Sequence, residues 1–356
     1  LCGEVLEKYG TRLQTISDSL SISTGLPLQR SFDLSLSSSN IEGRDISGTT
    51  ATLTARLADQ FGNPVPDGTV VNFISSGGAV CSSTSGSCTT ANGECSCQFR
   101  SQEFRPSDGR VVVLAYTVGL EDYVDGNGNN VYDVGEPFTD LPDAYLDADK
   151  SGTHDDAADI CLRFQNPNQC ALSGDSVRGA AHLRRSAVIL LSGSNAPTVI
   201  VPAAYNAGGY VSISAGSCPT GAPVVPLNVP VQLEDGFGNA MAAGTSLEVA
   251  AESPLVGAAV SPGAVPNLVL GLDPTRDSTN APKTTTNLGD PTLIGTPHRV
   301  RLTPVANDTA PGSCATGSSG VVFSVTSPSG LLVNARVLFE GEPRSAARGF
   351  LPVTVK

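Results

Sequence analysis

Tryptophan is absent from this chain, methionine occurs once, histidine three times, and charged residues make up only 15% of it. Each shortage removes a class of function. No apolar run approaches the roughly 18–20 residues that a membrane-spanning helix needs. Positive charge is short as well, with 21 Lys and Arg against 34 Asp and Glu. There is no basic patch to release counterions from nucleic-acid phosphates, and no polybasic segment suited to a membrane surface. His154, His182 and His298 are too scattered to serve a Ser/His/Asp arrangement. Gly174-Asp175-Ser176 has the look of a protease nucleophile run, but Val177-Arg178 follow where glycines are needed. Gly126-Asn127-Gly128 lacks the strand-to-helix pattern of a phosphate cradle. Paired acids such as Asp143 and Asp147 have the chemistry of glycoside cleavage, yet only Tyr132 and Tyr145 stand near them to stack on a sugar. No catalytic site is expected.

What the chain has in quantity is glycine (38), proline (25) and cysteine (9) in 356 residues. The length suits two domains, each with its own core. Short β-branched runs punctuated by Gly, Pro, Asn and Ser predict an all-β protein rich in turns. No signal peptide is visible before Leu1, so the chain reads as a processed product or a fragment. Nine cysteines point to an oxidising compartment. Zinc is a poor fit, because Cys95 and Cys97 are too close for a C-x₂-C knuckle and have no His beside them. Cys88 and Cys95 flank TTANGE, whose Asn92-Gly93 pair is a hairpin signal; the pairing expected is Cys88 with Cys95 across adjacent strands and Cys81 with Cys97 as an outer rung. Cys161 pairs with Cys170 around Asn166-Pro167, and Cys218 with Cys314 over a long range. Cys2 is left for another chain or for residues upstream.

The acid is concentrated. Residues 121–159 hold twelve of the 34 acidic side chains and a single basic one, Lys150. Within that segment Asp125, Asn127, Asn129, Val131, Asp133 and Glu136 occupy positions 1, 3, 5, 7, 9 and 12 of the loop DGNGNNVYDVGE, the positions from which oxygen ligands wrap Ca²⁺. Asn130 replaces the usual glycine at position 6, and Pro137 follows at once, so flanking helices are not expected. A second loop places Asp147, Asp149, Ser151, Thr153 and Asp155 at positions 1, 3, 5, 7 and 9, with Gly152 at position 6. Its position 12 is Ala158, leaving Asp156 or Asp159 to substitute. Structural Ca²⁺ is the expected cofactor: carboxylates packed this densely repel one another, and a hard dication relieves it. The competing reading is a solvated acidic loop.

One internal repeat organises the rest. Residues 59–73, DQFGNPVPDGTVVNF, recur at an offset of 176 as residues 235–249, DGFGNAMAAGTSLEV. Each copy follows an alternating strand, Ala51–Leu57 or Val229–Leu233. Asn and Gly are expected to supply the turn's positive φ, and the Phe to pack back on the sheet edge. The D-x-F-G-N-P-V-P-D-G-T-x-V-x-F run resembles the bacterial immunoglobulin-like domains of invasin and intimin over roughly Ile41–Tyr116. Pro223–Val260 resembles them with less of the motif, Ala240-Met241-Ala242-Ala243 replacing Pro-Val-Pro-Asp. The resemblance implies tandem Ig-like antiparallel β-sandwiches strung into rods on a bacterial surface, outer-membrane-associated. Roughly seventy residues after the strand Val111–Thr117 depart from that family before a closing strand at Ser186–Leu191.

The expected organisation is therefore residues 1–29 as a linker or short helix (Val5, Leu6, Tyr9 and Leu13 have helical spacing), residues 30–194 as a first Ig-like domain with an acidic insertion at 118–180, and residues 195–356 as a second. Leu272–Thr296 reads as a long loop. Gly349–Lys356 reads as a strand that either closes its own sandwich or adds to a neighbour's open edge. Three non-enzymatic roles follow: a rigid stalk or adhesin segment, a protomer of an extracellular filament or sheath built by strand addition or intermolecular disulfide, and a calcium-dependent carbohydrate module. The partners would be neighbouring Ig-like modules or identical subunits, and glycans or proteins of a host or cell surface. A monomeric rod, regular fibres, or glycan binding abolished by EDTA would distinguish the three.

Overall fold

The computed structural model describes residues 2–6, 12–16, 25–81, 86–205, 209–213, 226–253, 256–267, 296–305, 317–339 and 350–356. Among them the chain is strand and turn, with two short 3-10 turns and no α-helix. The all-β expectation holds for the reason the sequence offered. In Thr50–Leu57 the residues Ala51, Leu53, Ala55 and Leu57 are buried and the residues between them are not, the period-two pattern of a strand with one face on a core.

Two large hydrophobic cores form among the described residues. The first draws on residues from Phe32 to Leu191, the second on residues from Val199 to Val355. Around the first, a five-stranded sheet (Asn40–Ile41, Ala180–Leu191, Arg110–Leu120, Val70–Ser75, Ser87–Thr89) faces a four-stranded one (Phe32–Leu36, Thr50–Leu57, Glu94–Arg100, Ala79–Val80). Phe32, Phe73 and Phe99 fill the space between them, each contributing about 1.5–3 kcal/mol of burial. Around the second, the order Val256–Ser261, Thr296–Pro304, Leu227–Glu234, Thr198–Val201, Arg336–Phe339 faces Val211–Ile213, Phe350–Val355, Gly317–Thr326, Ser246–Ala251.

Several expectations change in detail. Cys2–Leu6 and Arg12–Ile16 pair as an antiparallel hairpin instead of the linker or helix expected for residues 1–29; apolar spacing in so short a segment does not separate the two periods. The strand expected at Val111–Thr117 runs from Arg110 to Leu120, and its partner begins at Ala180, well before Ser186. Ser87–Thr89 and Glu94–Arg100 lie in opposite sheets, so the Asn92-Gly93 turn (φ +54° and +73°) carries the chain from one sheet to the other. The C-terminal strand Phe350–Val355 pairs with Gly317–Val322 on one side and Val211–Ile213 on the other, which seats it inside its own sandwich. The long loop expected at Leu272–Thr296 falls outside the described residues, except that Thr296 opens a strand.

The two sandwiches meet end to end through a polar joint. Arg110 is completely buried there. Its Nη1 donates to Asn239 Oδ1 at 2.8 Å and to the Asp108 carbonyl at 3.3 Å, and Asn239 Nδ2 donates to that same carbonyl at 3.1 Å. Asn40 Nδ2 donates to the Met241 carbonyl at 2.9 Å, and the Ala243 N–H returns to the Asn40 carbonyl at 3.1 Å. Buried Glu42 accepts from both the N–H and the hydroxyl of Ser329, each at 2.8 Å. The Gly193 N–H donates to Asp235 Oδ2 at 2.7 Å.

The repeated turn explains this joint. In both copies the first Asp accepts from the N–H groups of the Phe and the Asn, and the glycine between them takes φ +80°. Glycine alone supplies the left-handed residue that Asn and Gly were expected to share. In the first copy Asn63 folds back on Asp59 at 3.3 Å and Gly62 is exposed. In the second Asn239 reaches across the joint, and Gly238, Asn239, Ala240 and Ala242 are buried. Small residues in AMAA let the first sandwich approach closely. Neither Phe packs back as expected: Phe61 is 54% exposed, and Phe237, 50% exposed, lies under the Arg44 guanidinium at 4.5 Å.

Candidate metal centre

The insertion forms a third layer on the outer face of the five-stranded sheet. Its two-stranded ribbon, Ala144–Leu146 with Ile160–Leu162, lays Leu146 and Leu162 on Val112 and Leu114. This is why Arg110–Ala115 is buried on both faces, and why that strand reads as a continuous apolar run instead of an alternating one.

The twelve acids divide into two populations that composition cannot separate. One tethers backbone. Glu121, 2% exposed, accepts from the N–H groups of Leu141 at 2.7 Å and Gly179 at 3.0 Å, drawing distant parts of the insertion together. Asp143, also buried, accepts from the N–H groups of Phe164, Gln165 and Ala171. These three bonds tie Asp143 to the Cys161–Cys170 loop and to the residue that follows it. Asp122 accepts from the Arg30 N–H, and Asp140 from that of Ser176.

The other population forms the two loops. In the first, Asp125 accepts from the N–H groups of Gly128 and Asn130 at 2.6 and 2.7 Å. These bonds, that from Asn130 above all, hold its carboxyl below the usual carboxylate range. Asn127 and Asn129 both bring their amides to Asp133 Oδ2, at 2.6 and 2.8 Å. Glu136 closes the loop, Oε1 accepting from the Gly126 N–H and Oε2 from the Asp133 N–H. Positions 3, 5 and 9 therefore meet at Asp133 and position 12 spans the backbone of positions 2 and 9, but among the described residues the carboxylate oxygens of Asp125, Asp133 and Glu136 do not all lie within 4.8 Å of one another. Val131, the position-7 residue, has its side chain 60% exposed, leaving only its carbonyl for such a set.

The second loop repeats this architecture. Asp147 accepts from the N–H groups of Ser151 and Gly152 at 3.0 and 2.9 Å. Position 4 and position 6 are left-handed in both loops: Gly128 and Asn130 in the first, Lys150 and Gly152 in the second. The Ser151 hydroxyl donates to the Thr153 carbonyl at 2.8 Å. Asp147, Asp149 and Asp159 bring carboxylate oxygens within 4.8 Å of one another. Asp159 is the ligand candidate that a strict twelve-residue register omits. Its Oδ1 accepts from the position-2 N–H of Ala148 at 2.8 Å and its Oδ2 from the position-9 N–H of Asp155 at 2.9 Å. Glu136 makes that same pair of bonds. The shorter aspartate reaches them because it stands one residue later, at position 13. Asp155 itself caps the following turn through the Ala157 N–H and lies outside the triple, while Asp156 leaves the loop to sit 3.7 Å from His154. Partial burial raises the Asp147 carboxyl above its ordinary range, whereas the Ser151 N–H lowers that of Asp149. All-oxygen donors of this kind fit a hard cation of the Ca²⁺ class.

Disulfides join Cys81 to Cys97, Cys88 to Cys95 and Cys161 to Cys170. Because Ser87–Thr89 and Glu94–Arg100 are in different sheets, Cys88–Cys95 staples sheet to sheet instead of linking adjacent strands of one. Cys161 is the middle residue of the ribbon strand Ile160–Leu162, two residues past Asp159, so its bond to Cys170 anchors the strand into which the second loop runs. The Cys218–Cys314 pairing lies outside the described residues, as does the side chain of Cys2. The tyrosines offered as sugar platforms are occupied by protein: Tyr132 is edge-on to Tyr123 and Phe138 with Arg178 5.0 Å above it, and Tyr145 is edge-on to His154.

Among solved structures, bacterial adhesins are similar to this chain. Adhesin InvE of Yersinia pseudotuberculosis is 13% identical, with 88% of this chain and 60% of that one covered, at a TM-score of 0.24. The D0-D1 domain of intimin is 10% identical, covering 90% of this chain and 97% of that one, at 0.23. The adhesin CfaE of enterotoxigenic E. coli is 9% identical, covering 94% and 89%, at 0.26. This chain thus spans less than two thirds of the InvE structure. No protein-family model matches it, and no curated protein does. Likenesses this loose do not decide a function, which has to come from the chain's own geometry. Among the described residues no helix is long and apolar enough to cross a membrane.

Proposed function

We propose that this chain is a non-enzymatic segment of an extracellular, outer-membrane-associated bacterial surface protein: a stiff two-sandwich rod that serves as a stalk or adhesin segment, with structural Ca²⁺ held in both insertion loops. The joint carries the reading. A fully buried arginine, a buried glutamate and a buried asparagine satisfied across it bind the two sandwiches at one angle, where a flexible tether would leave such groups in water. Asp125, Asn127, Asn129, the Val131 carbonyl, Asp133 and Glu136 would hold one ion. Asp147, Asp149, Ser151, the Thr153 carbonyl and Asp159 would hold the other. The ion supplies charge neutralisation and order to a segment with too few apolar residues to order itself. Its partners are neighbouring modules of the same kind and molecules of a cell surface.

Small-angle scattering and negative-stain imaging of the whole chain test the rod. A single elongated particle of fixed length in millimolar calcium is expected; a broad distribution of inter-sandwich angles would refute it. The strand-donation filament gains nothing from the fold, since Phe350–Val355 is paired on both sides.

A further inference from the structure

Lys150 is the one basic residue among the acids of 121–159, and its charge favours the ionised form of the neighbouring Asp149. It stands at position 4 of the second loop with φ +62°. Its ammonium donates to the Ala148 carbonyl of the loop at 3.3 Å and reaches Asp108 Oδ2 at 3.1 Å, with both side chains about a fifth exposed. Asp108 belongs to the joint. Its Oδ1 accepts from the Arg110 N–H at 3.1 Å, and its carbonyl receives both Arg110 Nη1 and Asn239 Nδ2. A path of contacts therefore runs from Asp159 of the second loop, through Ala148, Lys150 and Asp108, to the buried arginine and the second sandwich.

We infer that the Lys150–Asp108 pair is a latch through which an ion in the second loop sets the rigidity of the joint. The inference rests on the calcium reading above. Fixing Asp147, Asp149 and Asp159 around a cation fixes the backbone of Lys150 between them, and so holds the ammonium on Asp108. Asp108 in turn keeps that ammonium away from carboxylates where it would compete with the cation. Because coupling is reciprocal, a change at Asp108 must alter ion affinity. For a pair this exposed the effect is about two- to five-fold.

The test uses the full chain carrying Asp125→Ala and Glu136→Ala, so that calorimetric Ca²⁺ titration reports the second loop alone. Hydrogen exchange is followed at the joint amides of Gly193 and Ala243, which donate to Asp235 and Asn40, and at the loop amides of Ala148 and Asp155. Calcium is expected to slow exchange at both places. Asp108→Asn should weaken Ca²⁺ binding about two- to five-fold. Lys150→Gln should still protect the loop amides in saturating calcium, yet lose the protection at Gly193 and Ala243. Calcium that protects the loop without touching the joint, or a Lys150→Gln protein that keeps joint protection, overturns the latch and leaves the ion reading standing. No binding and no loop protection overturns both.

Discussion

Replacing Asn239 by alanine is the sharpest probe of the joint, because the repeat contains its own control. Asn239 and Asn63 occupy the same place in the same turn, and their backbone N–H groups make the same bond to the turn's first aspartate. Their side chains differ. Asn239 accepts from the fully buried Arg110 guanidinium at 2.8 Å and donates to the Asp108 carbonyl at 3.1 Å. Asn63 makes a single 3.3 Å bond to the aspartate of its own turn. A hydrogen bond to a charged group contributes about 1.5–3 kcal/mol and a neutral one about 1 kcal/mol. Asn239→Ala should therefore cost about 2–4 kcal/mol, and Asn63→Ala under about 1 kcal/mol. Urea unfolding followed by tyrosine emission, undisturbed by tryptophan, measures both. Asn239→Ala is expected to lower the midpoint markedly or split one transition into two, with the second sandwich released from the first. Equal costs for the two substitutions would refute the argument that the joint is held by this arginine–asparagine pair.

Removing the first loop's carboxylates with Asp125→Ala and Glu136→Ala should abolish part of the rise in melting temperature produced by calcium. A wild-type melting temperature indifferent to calcium and to EDTA would defeat the metal reading. Asp235 gives a pH dependence of unusual sign. Burial pushes its carboxyl up to about 6, against the N–H groups of Gly193, Asn239 and Phe237 that favour the charged form and with Asp45 adding to the rise. The folded chain thus binds more protons than the unfolded one between about pH 4 and 6, and this group's contribution to stability falls as pH rises through that window, by about 3 kcal/mol in all. Unfolding free energies from pH 4 to 7 should carry that decline in the wild type and lack it in Asp235→Asn; an unchanged slope would remove Asp235 as its source. Replacing Cys161 and Cys170 by serine opens a loop of sequence separation 9, an expected loss of about 2.5 kcal/mol. The loss should appear as weaker Ca²⁺ binding at the second loop, and intact binding would detach the disulfide from the ion site.

Local features were legible in the residues. Alternation in Ala51–Leu57 and Val229–Leu233 marked strands, because a period of two puts one face on a core. The spacing of Asp125 to Glu136 marked a loop of the Ca²⁺-binding type, because short polar side chains at alternate positions can accept from the loop's own N–H groups. Cysteine spacing identified three disulfide pairs by proximity along the chain. What the residues could not state was which sheet each strand joins, and Cys88–Cys95, expected across adjacent strands, crosses between sheets. Nor could they sort twelve similar carboxylates. Glu121 and Asp143 became backbone tethers, and Asp159 a loop-closing group one place beyond the expected register, only because folding brought particular N–H groups to them. The two copies of D-x-F-G-N are alike as sequence and different as chemistry, since one faces water and the other faces Arg110. Short-range geometry is written into neighbouring residues; the environment of a side chain depends on segments a hundred or more residues away, and burial at the joint is decided there.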